Sequence, residues 1–248
     1  MSADPLRPPI VITGASSGIG RSLALAWASS GTTLVLIARR REPLEQVAGE
    51  ARKLGAETTV MPADVTRADE IGRAAQQIVS RWGAPWRLVC SAGQLEAGTA
   101  HPLDVESVRR LMETNLLGTA RAVDAFAPHM TGGTIVLLAS MVARHPFEGL
   151  TPYALSKWAL DGYHRALSSE LAARGVRVSI VYPSIVDTPM VSSLLERAGD
   201  GAPAVYRAFP ARDADRIARR IMQGVERGRR RIFVAAEDRF LDVMLRLA

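Results

Sequence analysis

Ile10-Val-Ile-Thr13-Gly14-Ala-Ser16-Ser17-Gly18-Ile19-Gly20 is the stretch whose reading decides the fold. Its first four residues are apolar or β-branched and predict a short buried strand. Gly20-Arg-Ser-Leu-Ala-Leu-Ala-Trp-Ala28 then carries a helical pattern. Glycines between the two permit positive φ and let backbone N–H groups come close to a ligand. The helix N-terminus that follows is a natural seat for a pyrophosphate. The spacing is Gly-x-x-x-Gly-x-Gly, unlike the Gly-x-Gly-x-x-Gly fingerprint. Such a turn alone could merely join two elements, and its meaning depends on the rest of the chain.

The rest alternates. Strands are expected at Thr32–Ile37, Thr58–Met61, Trp86–Cys90, Thr134–Ala139, Val176–Val181 and Arg231–Val234. Between them lie helical patterns at Glu42–Leu54, Ala68–Trp82, Asp104 to about Pro128, Pro152–Arg174 and Asp213–Arg227. Repeated strand–helix–strand order with short connections predicts a parallel sheet covered on both faces. Continuous apolar strands such as Ile135-Val-Leu-Leu fit burial from both sides. The alternation breaks over Pro183–Pro210, where Ser, Asp, Gly and Pro interrupt one apolar stretch, Met190–Leu195. Long irregular segments of this kind are commonly functional. No linker or shift in composition marks a second domain. The expectation is one α/β domain over 1–248, with 184–212 as a substrate-binding segment.

The 248 residues suffice for one sizeable α/β domain, and 48% hydrophobic with 23% charged residues is the balance of a soluble protein. No uncharged apolar run reaches the roughly 18 residues that would suggest a membrane span, and the N-terminal segment lacks the apolar core of a secretory signal. A cytoplasmic location is expected. Cys90 is the sole cysteine and sits in a strand, so it reads as packing, and the four histidines lack metal-ligand spacing. The net charge of +6 is densest at Arg227-Gly-Arg-Arg-Arg231. That run has no interleaved aromatics or nucleic-acid motif, so it reads as a solvated corner and no nucleic-acid partner is expected. The mildly amphipathic tail from Arg239 leaves weak association with an anionic membrane surface open.

At the end of the second strand stands Ile37-Ala38-Arg39-Arg40-Arg41. A dinucleotide site commonly reads the adenosine ribose there, using an acid for a 2′-hydroxyl or an arginine for a 2′-phosphate. No acid is present, and a guanidinium can hold the phosphate through charge-assisted hydrogen bonds. NADP(H) is therefore expected over NAD(H), with Arg39 as reader and Arg40 and Arg41 as solvated neighbours.

Chemistry is expected farther along. Lys157 is one of two lysines beside 29 arginines, and it follows Tyr153 by four residues in Tyr-Ala-Leu-Ser-Lys. Positions i and i+4 share a helix face. Ser140 closes the strand Thr134–Ala139 and could meet them there. A phenol with a pKa of roughly 10 is a poor proton carrier at neutral pH, and a nearby ammonium would pull it down. A Tyr-x-x-x-Lys pair also arises by chance as a surface tyrosine beside a solvated lysine, and the arginine bias can reflect coding bias.

Taken in order, the Gly14–Gly20 turn, Ser140, Tyr153 and Lys157 resemble the short-chain dehydrogenase/reductase family over roughly residues 8–235. The resemblance implies a single-domain Rossmann-type, doubly wound fold with about seven parallel strands. It also implies hydride transfer between NAD(P)(H) and a carbonyl or alcohol. Asn115 resembles the family's helix asparagine, which supports a water linking the lysine to solvent. Asp64, with Val65 beside it, resembles the residue that holds the adenine, although Asp64 and Thr66 could equally cap a helix. Ser91-Ala92-Gly93 matches the turn after the fourth strand, with serine for the usual asparagine. Pro183, Val186 and Thr188 match the segment over the nicotinamide, with Ser184 where glycine is usual. Substrate contacts are expected from Leu95, Met141, Val142, Phe147, Leu150, Met190, Leu194 and Leu195, an apolar set favouring a hydrophobic carbonyl or alcohol. A homodimer or homotetramer built on the 104–128 and 152–174 helices is implied. The rival readings are an NAD-dependent alcohol dehydrogenase and a non-catalytic dinucleotide sensor or scaffold.

Overall fold

The computed structural model describes residues 8–29, 31–235, 238 and 242. The leader at 1–7 and the tail residues 239–241 and 243–248 lie outside them. Seven strands form one all-parallel sheet: β1 (Ile10–Thr13), β2 (Thr33–Ala38), β3 (Glu57–Pro62), β4 (Arg87–Cys90), β5 (Thr134–Leu138), β6 (Arg177–Tyr182) and β7 (Arg231–Phe233). Their spatial order is β3-β2-β1-β4-β5-β6-β7. The chain walks outward from β1 to β3 and then returns to the other side of β1. The β1/β4 boundary is thus a switch point, where the connecting loops part and leave a crevice at the strand C-termini.

Two-residue periodicity along each strand divides the core. Val11, Val35, Ile37, Leu88, Ile135 and Ile180 face one layer, made by α3 (Ala68–Trp82), α5 (Gly118–Phe126) and α6 (Thr151–Glu170). Ile12, Leu34, Leu36, Val89, Val136 and Val181 face the opposite layer, made by α1 (Gly18–Trp27), α2 (Arg41–Lys53) and α9 (Ala214–Glu226). In the central strands β1, β4 and β5 every residue is buried whichever way it points, which accounts for the unbroken apolar runs. A fully buried aliphatic side chain contributes about 1.5–3 kcal/mol.

The helices follow their local signals. In α3 the buried Ile71, Ala74, Ala75, Ile78 and Trp82 form one stripe, with Asp69 and Glu70 in the first turn and Arg81 in the last. Gly83, at φ 77, ends it. Asp213 caps α9 by accepting from the Arg216 N–H at 2.7 Å. The expected single helix from Asp104 to Pro128 is instead composite. It runs as α4 (Val105–Met112), one π-helical turn at Glu113–Leu117, α5, and a final 3-10 turn at Ala127–His129. Gly118 abuts Val65 so closely that a Cβ there would lie 2.7 Å from Val65 Cγ2.

The 184–212 segment is also more ordered than its composition predicts, for it contains α7 (Pro189–Ala198) and the short α8 (Val205–Ala208). Thr188 caps α7, accepting from the Val191 N–H at 3.4 Å, and Pro189 occupies the first helical position. Only Leu194 of α7 is fully buried.

Candidate active site

The Gly14–Gly20 turn closes around backbone. Gly14 has φ +67, and a Cβ on it would lie 2.5 Å from Ala92 N. A Cβ on Gly20 would lie 2.2 Å from Gly14 O and 3.1 Å from Ser91 Oγ. Side chains are thus excluded where the β1–α1 turn meets the turn after β4, and the first N–H groups of α1 are left open to a ligand. Thr13 ties the two turns together: its carbonyl accepts from Ser91 N at 3.2 Å, and its hydroxyl accepts from Ala92 N at 3.5 Å. Ser91 keeps this backbone link without an asparagine amide.

A cleft of about 470 Å³ opens above these turns. Gly14, Ser16, Ser17, Gly18, Ile19 and Gly20 form its floor, and Ser91, Ala92 and Gly93 one side. Arg39 lies at one end with Arg40 and the Asp64–Val65 pair. Tyr153, Lys157, Pro183 and Thr188 close the other end. Among the described residues Arg39 and Arg40 have no ion pair, whereas Arg41 bonds Glu45 at 3.3 Å. Asp64 accepts from the Thr66 N–H and hydroxyl, each at 2.9 Å, which fixes the turn before α3.

A second cavity of about 240 Å³ joins the cleft at Tyr153 and continues under α7 and α8. Ser140 lies in its wall, as does Val186, which was expected to line the cofactor cleft. Leu95, Met141, Val142, Phe147, Leu150 and Met190 line it as expected. Leu194 does not reach the cavity and packs behind it, and Leu195 points outward at 37% exposure. Sequence reasoning missed Tyr206 and named Ser184 only as a departure in the backbone over the nicotinamide. Tyr206, on α8, lines the same cavity as Tyr153 and packs on the same apolar cluster. Among the described residues the enclosed Ser184 hydroxyl has no hydrogen-bond partner.

Ser140, Tyr153 and Lys157 converge as expected, but their electrostatics differ from the expectation. Burial pushes the Tyr153 phenol up to about 12, with a hydrogen bond to Ser140 acting the other way. Burial pulls the Lys157 ammonium down to about 8. Its Nζ donates to Leu138 O at 2.8 Å and lies 5.7 Å from the Tyr153 ring centroid. The ammonium is aimed at a carbonyl, and desolvation of the phenol dominates. Tyr153 is therefore a neutral acid at physiological pH, and Lys157 is mostly cationic.

Asn115, in the π-helical turn, contacts neither cavity and stands behind both. Its Oδ1 accepts from Gln94 N at 2.7 Å, and its Nδ2 donates to Gln94 O at 3.0 Å and to Ser156 Oγ at 2.9 Å. One turn past Lys157, Asp161 accepts from Tyr182 OH and from Arg165 at 2.9 Å. Arg144 lies 3.7 Å from the same carboxylate. Burial alone would raise Asp161, but those hydrogen bonds and charges hold it below its ordinary value. This cluster pins α6 to the segment after Ser140. The arrangement can seat an extended dinucleotide in one cleft and present a buried proton donor to an apolar compound in the other.

Among the described residues, no helix is long and apolar enough to cross a membrane. The sequence model for short chain dehydrogenases matches residues 9–199. Human 17-beta-hydroxysteroid dehydrogenase 13 is 30% identical over 249 residues, covering 96% of this chain and 77% of that protein. A short-chain dehydrogenase from Streptomyces avermitilis superposes with a TM-score of 0.81 at 26% identity, covering 97% and 93% of the two chains. The alcohol dehydrogenase of Thermococcus sibiricus, solved with 5-hydroxy-NADP, superposes at 0.78 with 26% identity, covering 92% and 95%. The chain thus belongs to the short-chain dehydrogenase family, oxidoreductases that act on CH–OH/C=O groups with nicotinamide cofactors.

Proposed function

We propose that this chain is an NADP(H)-dependent reductase of a hydrophobic ketone or aldehyde. The observation that carries this reading is the junction of the two cavities at Tyr153, a phenol that burial keeps protonated. The backbone of the Gly14–Gly20 turn and the α1 N-terminus would hold the pyrophosphate. Arg39, helped by Arg40, would take the 2′-phosphate, and Asp64 and Val65 the adenine end. Lys157 would anchor the nicotinamide ribose, and Pro183, Val186 and Thr188 its carboxamide. A bound nicotinamide supplies or accepts the hydride.

The chain's own groups do the rest. Ser140 donates to the substrate oxygen, and Tyr153 delivers a proton to that oxygen as negative charge develops on it. The phenol arrives protonated, as a proton donor in the reducing direction must, and the Lys157 charge would bring its pKa down toward the working pH, where general acids act best. Lys157 keeps a positive charge close to the phenolate left behind. Asn115 is a positioning residue that locks Gln94 and Ser156 against each other. The 184–212 segment forms the substrate roof, and its apolar lining favours an apolar substrate; the similarity to a hydroxysteroid dehydrogenase is in keeping with that. Leu117, Leu155 and Trp158 are 43%, 42% and 50% exposed along the α5–α6 side, which supports a homo-oligomer built there.

The cofactor part is tested by comparing NADPH and NADH dissociation constants in the wild type and Arg39→Ala. A wild-type preference for NADPH that falls by about tenfold or more in the variant supports it, since a charged hydrogen bond is worth roughly 1.5–3 kcal/mol. A preference unchanged by the substitution, or one for NADH, overturns the NADP(H) assignment and leaves the enzyme reading standing. Absence of binding by either nucleotide would favour a non-catalytic scaffold.

A further inference from the structure

The opposite rim of the sheet holds a buried charge with no use in the chemistry above. Arg87, the first residue of β4, is 4% exposed. Its guanidinium lies 4.8 Å from the Trp27 ring centroid and 4.9 Å from that of Trp86. Such cation–π contact satisfies none of the guanidinium's N–H donors. Among the described residues Arg87 makes no hydrogen bond and no ion pair, and its Nε is enclosed without a partner. Burial pulls its pKa below the ordinary value, and the Glu226 charge acts the other way without restoring it. The C-terminal ends of α1 and α9 nearby favour a cation but supply it no hydrogen bond.

Arg87 also lines a cavity of about 380 Å³ at this rim. Strand register places Arg87 beside Thr134 and Thr134 beside Arg177, each at the start of its strand. In-register residues of a parallel sheet point to one face, so both arginines front the same space, two strand spacings or about 10 Å apart. Among the described residues Glu226, at the end of α9, is the only carboxylate in the lining; its charge is felt by Arg87, but it forms no ion pair with either guanidinium. Two cations and one acid leave the site electropositive.

We infer that the Arg87–Arg177 cavity is a binding site for a small oxyanion, a phosphate or carboxylate group, at the rim of the sheet opposite the catalytic crevice. An acceptor-only oxyanion supplies hydrogen-bond partners of the kind Arg87 lacks, and a guanidinium binds such groups through charge-assisted hydrogen bonds. The Glu226 carboxylate competes with the anion for the same field. The site does not depend on the proposed reaction, so either can fail without the other.

The test is titration of the protein with inorganic phosphate at fixed ionic strength, balanced with chloride and followed by tryptophan emission, because Trp27 and Trp86 flank the site. Arg39→Ala serves as the background that weakens phosphate at the 2′-phosphate end of the dinucleotide cleft, and phosphate at the glycine turn is distinguished by its survival in Arg87→Met. The expected result is a saturable change kept in Arg39→Ala, lost in Arg87→Met, and several-fold tighter in Glu226→Gln. No saturable response in the wild type, or equal affinity in Arg87→Met, overturns the site. If Arg87→Met does not fold, Glu226→Gln decides: tighter binding supports the site, and unchanged or weaker binding overturns it.

Discussion

Asn115 and Ser156 couple the π-helical turn to the helix carrying Tyr153 and Lys157: Asn115 Nδ2 donates to Ser156 Oγ at 2.9 Å, and Ser156 Oγ donates onward to Tyr153 O at 2.7 Å. With the two bonds to Gln94, every donor hydrogen of the Asn115 amide is used in a site with no exposure. Removing that amide leaves the Gln94 backbone N–H and C=O unmatched inside the protein. Each such loss costs about 1–3 kcal/mol. Asn115→Ala should lower unfolding free energy in urea by about 2–4 kcal/mol, and Ser156→Ala by less. Equal, small effects from both would show that the link is dispensable.

The glycine turn makes a sharper demand. At Gly14 a side chain meets two obstacles together, a left-handed φ and the Ala92 backbone 2.5 Å away. Gly14→Ala should cost about 2–4 kcal/mol in stability and abolish nucleotide-induced thermal stabilisation. Near-wild-type stability with intact nucleotide binding would mean that the two turns are free to separate.

Lys157 gives stability a distinctive pH dependence. Its pKa is about 8 folded against an ordinary 10.5, so between these values the unfolded chain holds a proton that the folded one has released. Stability therefore rises with pH across that window. Integration of the difference predicts a gain of about 2 kcal/mol in the wild type from about pH 7 to about pH 9.5, relative to Lys157→Met. Tyr153 acts oppositely and only at higher pH: raised to about 12, its contribution is lost as pH climbs from about 10. Parallel pH profiles for wild type and Lys157→Met from urea melts would contradict this.

In the substrate cavity, Tyr206 and the enclosed Ser184 hydroxyl are polar groups in a mostly apolar wall. Tyr206→Phe should change KM among carbonyl substrates that differ in a second oxygen while leaving kcat for a plain alkyl ketone within about twofold. A uniform fall in kcat across substrates would instead place Tyr206 in proton transfer.

Much of this was legible from the chain. Strand and helix alternation carries the doubly wound sheet because each strand is buried on both faces, and the glycine turn, Ser140, Tyr153 and Lys157 are local patterns with fixed spacing. The π-helical turn was not, because its residues have ordinary helical composition and the contact it makes through Asn115 is with the distant Gln94. Nor were Leu194 and Leu195 separable, since both are apolar and only the roll of α7 sends one inward and one outward. The sign of the Tyr153 shift needs burial on all sides, which no spacing reports. Arg87 looks from sequence like an ordinary strand-start cation; its isolation emerges only once Trp27 and Trp86 close over it.

The central claim is that Tyr153 delivers the proton in a site already built to hold the nucleotide. The direct test is Tyr153→Phe, assayed for NADPH binding by thermal shift and for turnover on an apolar ketone that the wild type reduces. The account predicts nucleotide stabilisation close to the wild type, about 2.7 kcal/mol at a hundred times the dissociation constant, with kcat lower by roughly 10²–10⁴-fold. Turnover within a few-fold of the wild type, with binding intact, would contradict it.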